Sequence, residues 1–297
     1  MTLSDNADEL SANREIKDGV FKLLFEVPEN AAELYSALKD TECRPDEIEI
    51  ITITTTVSGR LKNDLAIVAR GEALFLAEHM SSFYENMPVR FLMYLGQLYE
   101  KWIKMKGEER FLYGSRLYKI PAPEFAVFYN GAAAKPEKEI LRLSSAFENA
   151  GGEGLGFIEL EVPVYNINKG MNEELFKKSG KLRQYAEFIA KIRELNGLYE
   201  DHAQAVKEAA NYCIANDILA DFLKEHGGKV VSILSTVYDE EAAKRVYAEE
   251  YAETRTENIA LEMMKMGLSQ EQVLRATKIS QEKARQIAER LDFSLPT

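Results

Sequence analysis

The chain has 297 residues, 46% of them hydrophobic and 29% charged, which is the balance of a globular protein and excludes a disordered one. A net charge of −12 argues against wholesale wrapping of nucleic acid, and Cys43 and Cys213 lie too far apart to make a disulfide framework or a thiolate metal motif. No run approaches the ~20 apolar residues of a membrane span, and the first ten residues carry neither a basic nor an apolar leader region, so no membrane association and a reduced, cytoplasmic setting are expected.

From Asp18 onward, Val20, Phe21, Leu24 and Phe25 recur at helical spacing. Leu34, Tyr35 and Leu38 resume that spacing after a break at Val27-Pro28, which predicts two successive helices. Residues 49–57 are β-branched at nearly every position and read as a strand. Residues 62–68 and 74–80 are two more β-type runs, joined by Arg70-Gly71-Glu72 as a hairpin. Phe91, Leu95, Leu98 and Trp102 share one face of a helix over 86–105, with Asn86 as its N-cap. Residues 126–129, closed by Asn130-Gly131, form a further strand. Residues 157–167 form another, after the loop Gly151-Gly152-Glu153-Gly154. Beyond Asn172 the pattern is helical throughout. Leu182, Tyr185, Ile189 and Ile192 line one helix, Ala209, Cys213 and Phe222 fall in the next stretch, and Gly227-Gly228 punctuates it. Residues 239–266 read as a long acidic helix ending at Gly267, followed by a capping box at Ser269–Gln272 and an N-cap at Ser280. The organisation expected is a mixed α/β core over 15–170, a helical extension over 171–236, and an acidic helix with a C-terminal helical hairpin over 237–297.

The hairpin carries the chemistry. Asp64 stands near the start of one run and Glu78 near the end of the other, so antiparallel pairing sets them side by side, where both can converge on one metal ion. Residues two apart share a strand face, which puts Lys62 beside Asp64 and Met80 beside Glu78, and turns His79 to the opposite face. Met80 is a soft thioether where a polar or cationic group would position water or stabilise charge; Lys62 is the candidate replacement. Structurally, Asp64 also reads as a turn residue after Asn63, and Glu78 as a surface acid. Arg90 falls in the first turn of its helix, where the dipole disfavours a cation, so it calls for an anion: a carboxylate or a DNA phosphate. Residues 86–119 hold seven basic and three acidic side chains, a basic surface or an ordinary solvated helix face. Residues 269–291 could form a helix-turn-helix-like DNA reader, but no third supporting helix is evident, which favours a packing element.

Several segments together resemble the Rpn family of recombination-promoting nucleases and putative transposases, within the PD-(D/E)XK nuclease superfamily. They are Lys17 to Phe25, Asn63-Asp64-Leu65-Ala66, Ala77-Glu78-His79-Met80-Ser81-Ser82, Asn86-Met87-Pro88-Val89-Arg90 with Tyr94, Pro123-Glu124-Phe125, Tyr129-Asn130-Gly131, Leu141-Arg142-Leu143-Ser144, and Asn166-Ile167-Asn168-Lys169-Gly170. The likeness runs over about residues 15 to 225. It implies a restriction-endonuclease-like mixed sheet flanked by helices and followed by a helical C-terminal region, with Mg2+ (or Mn2+) as cofactor and DNA as the partner, and it leaves room for a homo-oligomer. It implies Asp64 and Glu78 as metal ligands, with Asp18 on the first helix as a candidate third acid; the substrate contact expected of Arg90 rests on the helix dipole above. The family commonly has Glu-His-Gln-Ser-Thr, and its Gln falls on Met80. Two readings therefore stay open: an active or attenuated endonuclease promoting recombination, or a catalytically inactive DNA-binding or protein-interaction module that keeps the fold.

Overall fold

The computed structural model describes residues 19–52, 63–148, 158–199 and 201–292. The chain divides into two compact units, residues 1–235 and 236–297.

The first unit is built on a six-stranded mixed sheet of order β1-β2-β3-β4-β6-β5. Its strands are β1 (Ile48–Ile50), β2 (Leu65–Ala69), β3 (Ala73–Met80), β4 (Ala122–Tyr129), β5 (Lys138–Arg142) and β6 (Glu161–Asn166). The β2–β3 hairpin turns through Arg70 and Gly71, both at positive φ (55° and 69°), as a tight primed turn requires. Its register runs from Ala69 opposite Ala73 to Leu65 opposite Ala77. β3, β4 and β6 are parallel, and their carboxyl ends lie together. The crossover from β3 to β4 is the helix α3 (Met87–Lys106), the α-helical connection that a parallel pair needs.

Strand alternation separates two faces of β3. Leu74, Leu76 and Met80 join Phe91, Tyr94, Leu98 and Trp102 of α3 in one apolar cluster. On the other face lie α1 (Val20–Phe25), α2 (Pro28–Lys39) and α5 (Gly180–Asn196); α4 (Glu173–Lys178) precedes α5. There Phe75 meets Tyr35 of α2 at 5.5 Å between ring centroids, and Phe21 of α1 meets Phe128 at 5.4 Å and Tyr185 of α5 at 5.5 Å. The unit is a sheet sandwiched between helices, with an apolar core on each side. α6 (His202–Ala215) and the start of α7 (Ala220–Lys265) complete it.

Several expectations change. β5 has no counterpart in the sequence reading, because only Leu141 of its five residues is buried and its ends are charged. Gly227-Gly228 does not interrupt a helix: α7 continues through both. Each glycine costs about 1 kcal/mol of helix propensity, too little to break a helix that flanking turns support. The strand expected over 49–57 is described only as Ile48–Ile50, and the rest of that stretch lies largely outside the described residues.

In the second unit, the end of α7, α8 (Gln270–Thr277) and α9 (Gln281–Asp292) bury Ala260, Val273 and Ile287 against one another. The long helix expected over 239–266 is thus the supporting helix, a role the sequence reading did not assign to it. The expected capping box forms, with Gln272 N–H donating to Ser269 Oγ at 3.4 Å and Ser269 N–H to Gln272 Oε1 at 2.9 Å. Lys283 of α9 pairs with Glu253 and Glu257 at 3.2 and 2.9 Å, and Arg285 with Glu282 at 3.1 Å. Those two cations are paired within the unit. No helix among the described residues is long and apolar enough to cross a membrane.

Candidate metal centre

At the open end of the β2–β3 hairpin the ladder passes from backbone to side chains. Beyond the Leu65–Ala77 pair, Asp64 N–H donates to Glu78 Oε1 at 3.1 Å, and His79 N–H donates to Asp64 Oδ2 at 2.8 Å. Each acid therefore bonds the backbone of the strand opposite, which brings Asp64 and Glu78 together. Glu78 is 2% exposed, while Asp64 is half-buried.

Glu78 points to the α3 face, and α3 delivers its counter-ion. Arg90 Nη2 lies 3.1 Å from Glu78 Oε2, so the anion demanded by a cation in the first helical turn is this carboxylate. Tyr94, one turn further along, accepts from Arg90 Nη2 at 2.8 Å and Nε at 3.2 Å, and Met87 Sδ accepts from Nη1 at 3.3 Å. Burial first, and then the charge of Asp64, push the Glu78 carboxyl well above the usual carboxylate range, against the opposing pull of Arg90. Burial works against the Arg90 charge, but Glu78 and Tyr94 outweigh it and raise its pKa. Burial and then Glu78 push the Tyr94 hydroxyl up as well. Two neighbouring carboxylates with one shared guanidinium leave the site short of positive charge.

Met80 shares the Glu78 face but belongs to the apolar cluster beneath α3; it is 3% exposed, and its sulfur accepts from Tyr84 N–H at 3.4 Å. Position 80 thus presents no polar group. Lys62 and Asp18 lie outside the described residues. Among the described residues no group of three or more His, Cys, Asp or Glu side chains is placed to hold a metal ion.

His79 lies on the opposite face, between Phe21 (6.1 Å) and Tyr185 (5.4 Å). Its Nε2 is buried and has no hydrogen-bond partner among the described residues. Burial and then the nearby Arg193 hold its pKa down at about 4, so the ring is neutral and structural. The residue that sequence reasoning missed is Tyr94, which it gave no role at the site. The signal was its spacing four residues after Arg90, which puts the hydroxyl on the same helix face.

No family model, curated protein or solved structure matches the chain.

Proposed function

We propose that the chain is a Mg2+-dependent DNA endonuclease of the PD-(D/E)XK type, related to transposase-associated nucleases that promote recombination, and attenuated at position 80. The observation that carries the proposal is the Asp64–Glu78 pair at the open end of the hairpin. Mg2+ binds through one or two carboxylates and fills its remaining positions with water and substrate phosphate oxygens. This donor set fits it, and Mn2+ takes the same hard oxygens. Asp64 and Glu78 would hold the ion, with Asp18 as a further acid. A bound divalent ion would supply Lewis acidity toward a phosphate and a water molecule of lowered pKa.

The chain's own groups do the rest. Arg90, 35% exposed along its side chain, neutralises Glu78 and can turn to a DNA phosphate when other positive charge takes its place. Tyr94 fixes the guanidinium plane from below. Lys62, expected on the Asp64 face, is the candidate for the cationic role that Met80 cannot fill. The neutral His79 keeps the strand end anchored from behind.

A second reading, a non-catalytic module that keeps the nuclease fold, is favoured by two features: Glu78 already has a counter-ion, and Met80 is sealed in the core. Incubating supercoiled plasmid with purified protein in Mg2+ and in EDTA separates the two readings. The nuclease reading expects Mg2+-dependent nicking that Asp64→Ala abolishes. Intact plasmid under all conditions supports the module instead.

A further inference from the structure

We propose that residues 107–121, between α3 and β4, form a stacking platform for single-stranded nucleic acid. The partner class rests on the DNA-directed reading above, but the surface is separate from the Asp64–Glu78 pair. It lies past the far end of α3, whose 20 residues span about 30 Å from the Arg90 end.

The chain leaves the helix through Gly107 at φ 66°, forms a short 3-10 turn at Glu109–Tyr113, and returns to β4. Instead of burying its apolar residues, this stretch displays them. Tyr113 is 91% exposed and Leu117 87%, with Phe111 and Leu112 about half exposed. Scattered exposed apolar residues need no explanation, whereas a contiguous group calls for a partner.

The charge beside them points to its chemistry. Arg110, Arg116 and Lys119 are exposed and hold no ion pair among the described residues, in a protein of net charge −12. Free cations in an acidic chain mark a place for an anion. The rings are also pre-arranged. The Arg110 guanidinium lies 4.9 Å from the Phe111 ring centroid, and Phe111 stacks on Tyr118 at 6.4 Å with 16° between planes. Tyr118 is fixed by its hydroxyl on Glu108 at 2.7 Å, and the far end of the loop by Tyr99 donating to Pro121 O at 2.7 Å.

Flat aromatic faces, arginine stacked on one of them, and unpaired cations for a backbone are the elements of single-strand binding. Paired bases in a duplex offer no face to stack on, so the platform selects unpaired strands. This would serve an endonuclease acting where strands open.

The test is fluorescence anisotropy of labelled oligo(dT) and of a duplex of equal length, in EDTA so that no cleavage intervenes. The full chain is expected to prefer the single strand. Tyr113→Ala and Phe111→Ala should each weaken it about tenfold, the cost of losing one base stack, while Tyr113→Trp retains binding. Arg116→Ala and Lys119→Ala should each lower the salt slope by about 0.7. Because Tyr113 is 91% exposed, its replacement leaves the fold intact, which thermal unfolding checks. No binding of oligo(dT) by the wild type, binding unchanged in the Tyr113 and Phe111 variants, or capture by anionic vesicles in place of oligo(dT) would each overturn the proposal. Tight oligo(dT) binding without Mg2+-dependent plasmid nicking would leave the platform standing and remove the nuclease.

Discussion

Glu78 and His79 are neighbours on one strand, the first buried and the second half-buried with its Nε2 out of solvent, and they sit in opposite kinds of surroundings. On the α3 face, Glu78 meets Asp64, Arg90 and Tyr94, and ionic groups accumulate around a carboxylate. On the α1 and α5 face, His79 meets aromatic rings and is held neutral. Burial alone therefore does not define a candidate site. What separates the two positions is whether the packed helix brings charge or carbon, and α3 brings charge in its first turn.

Removing the charge that α3 supplies should have the largest effect. Arg90→Met leaves Glu78 buried without its guanidinium and should cost about 3 kcal/mol near pH 8, the low end for breaking a buried pair because Arg90 is 35% exposed. The loss should be smaller at a lower pH, where Glu78, with its raised pKa, takes up a proton. Urea unfolding at both pH values measures this, and an equal loss at both would contradict the pairing.

Acid should act on the other face. A histidine held at about 4 in the folded chain, against 6.5 ordinarily, contributes about 3 kcal/mol that is fully present above pH 6.5 and lost as pH falls through that window toward 4. His79→Phe keeps an aromatic ring among Phe21 and Tyr185 and removes an unpaired buried nitrogen. It should be near neutral at about pH 8 and flatten this part of the pH–stability curve. A curve that keeps the wild-type slope would show that His79 is not the group responsible.

A smaller cost is expected at the third position of the strand end. Met80→Gln buries an amide in an apolar cluster and should lower stability by about 1–2 kcal/mol. In the nuclease reading it should also raise the rate of plasmid nicking, because the amide can hydrogen-bond a water or phosphate oxygen that a thioether holds poorly. The smallest effect should be that of Tyr94→Phe, which removes one acceptor from Arg90 and should cost about 1 kcal/mol in thermal unfolding.

The strand end was legible in sequence because alternation and hairpin register are local rules. Arg70-Gly71 sets the turn, and counting back along both strands brings Asp64 to Glu78 and turns His79 away. The need of Arg90 for an anion was legible from the helix dipole, but its partner was not, because which residue of β3 it meets depends on how α3 lies across the sheet. Tyr94 was hidden for the same reason: a buried tyrosine looks like core until its hydroxyl finds Arg90. β5 escaped because its exposed, charged residues carry no apolar period. The helix over 239–266 was read, but its role as the third helix of the C-terminal unit was not, because the packing of Ala260 on Val273 and Ile287 is a tertiary contact that no local pattern announces.

The central claim is that Asp64 and Glu78 together form a site for a divalent cation, with Arg90 standing beside Glu78 as a resident positive charge. Isothermal titration of Mn2+ into the metal-free protein, without DNA, tests it most directly. The account predicts one saturable site in the wild type, lost in Asp64→Asn and tighter in Arg90→Gln, where a competing charge is removed. Binding unchanged in Asp64→Asn, or no saturable binding even in Arg90→Gln, would contradict it.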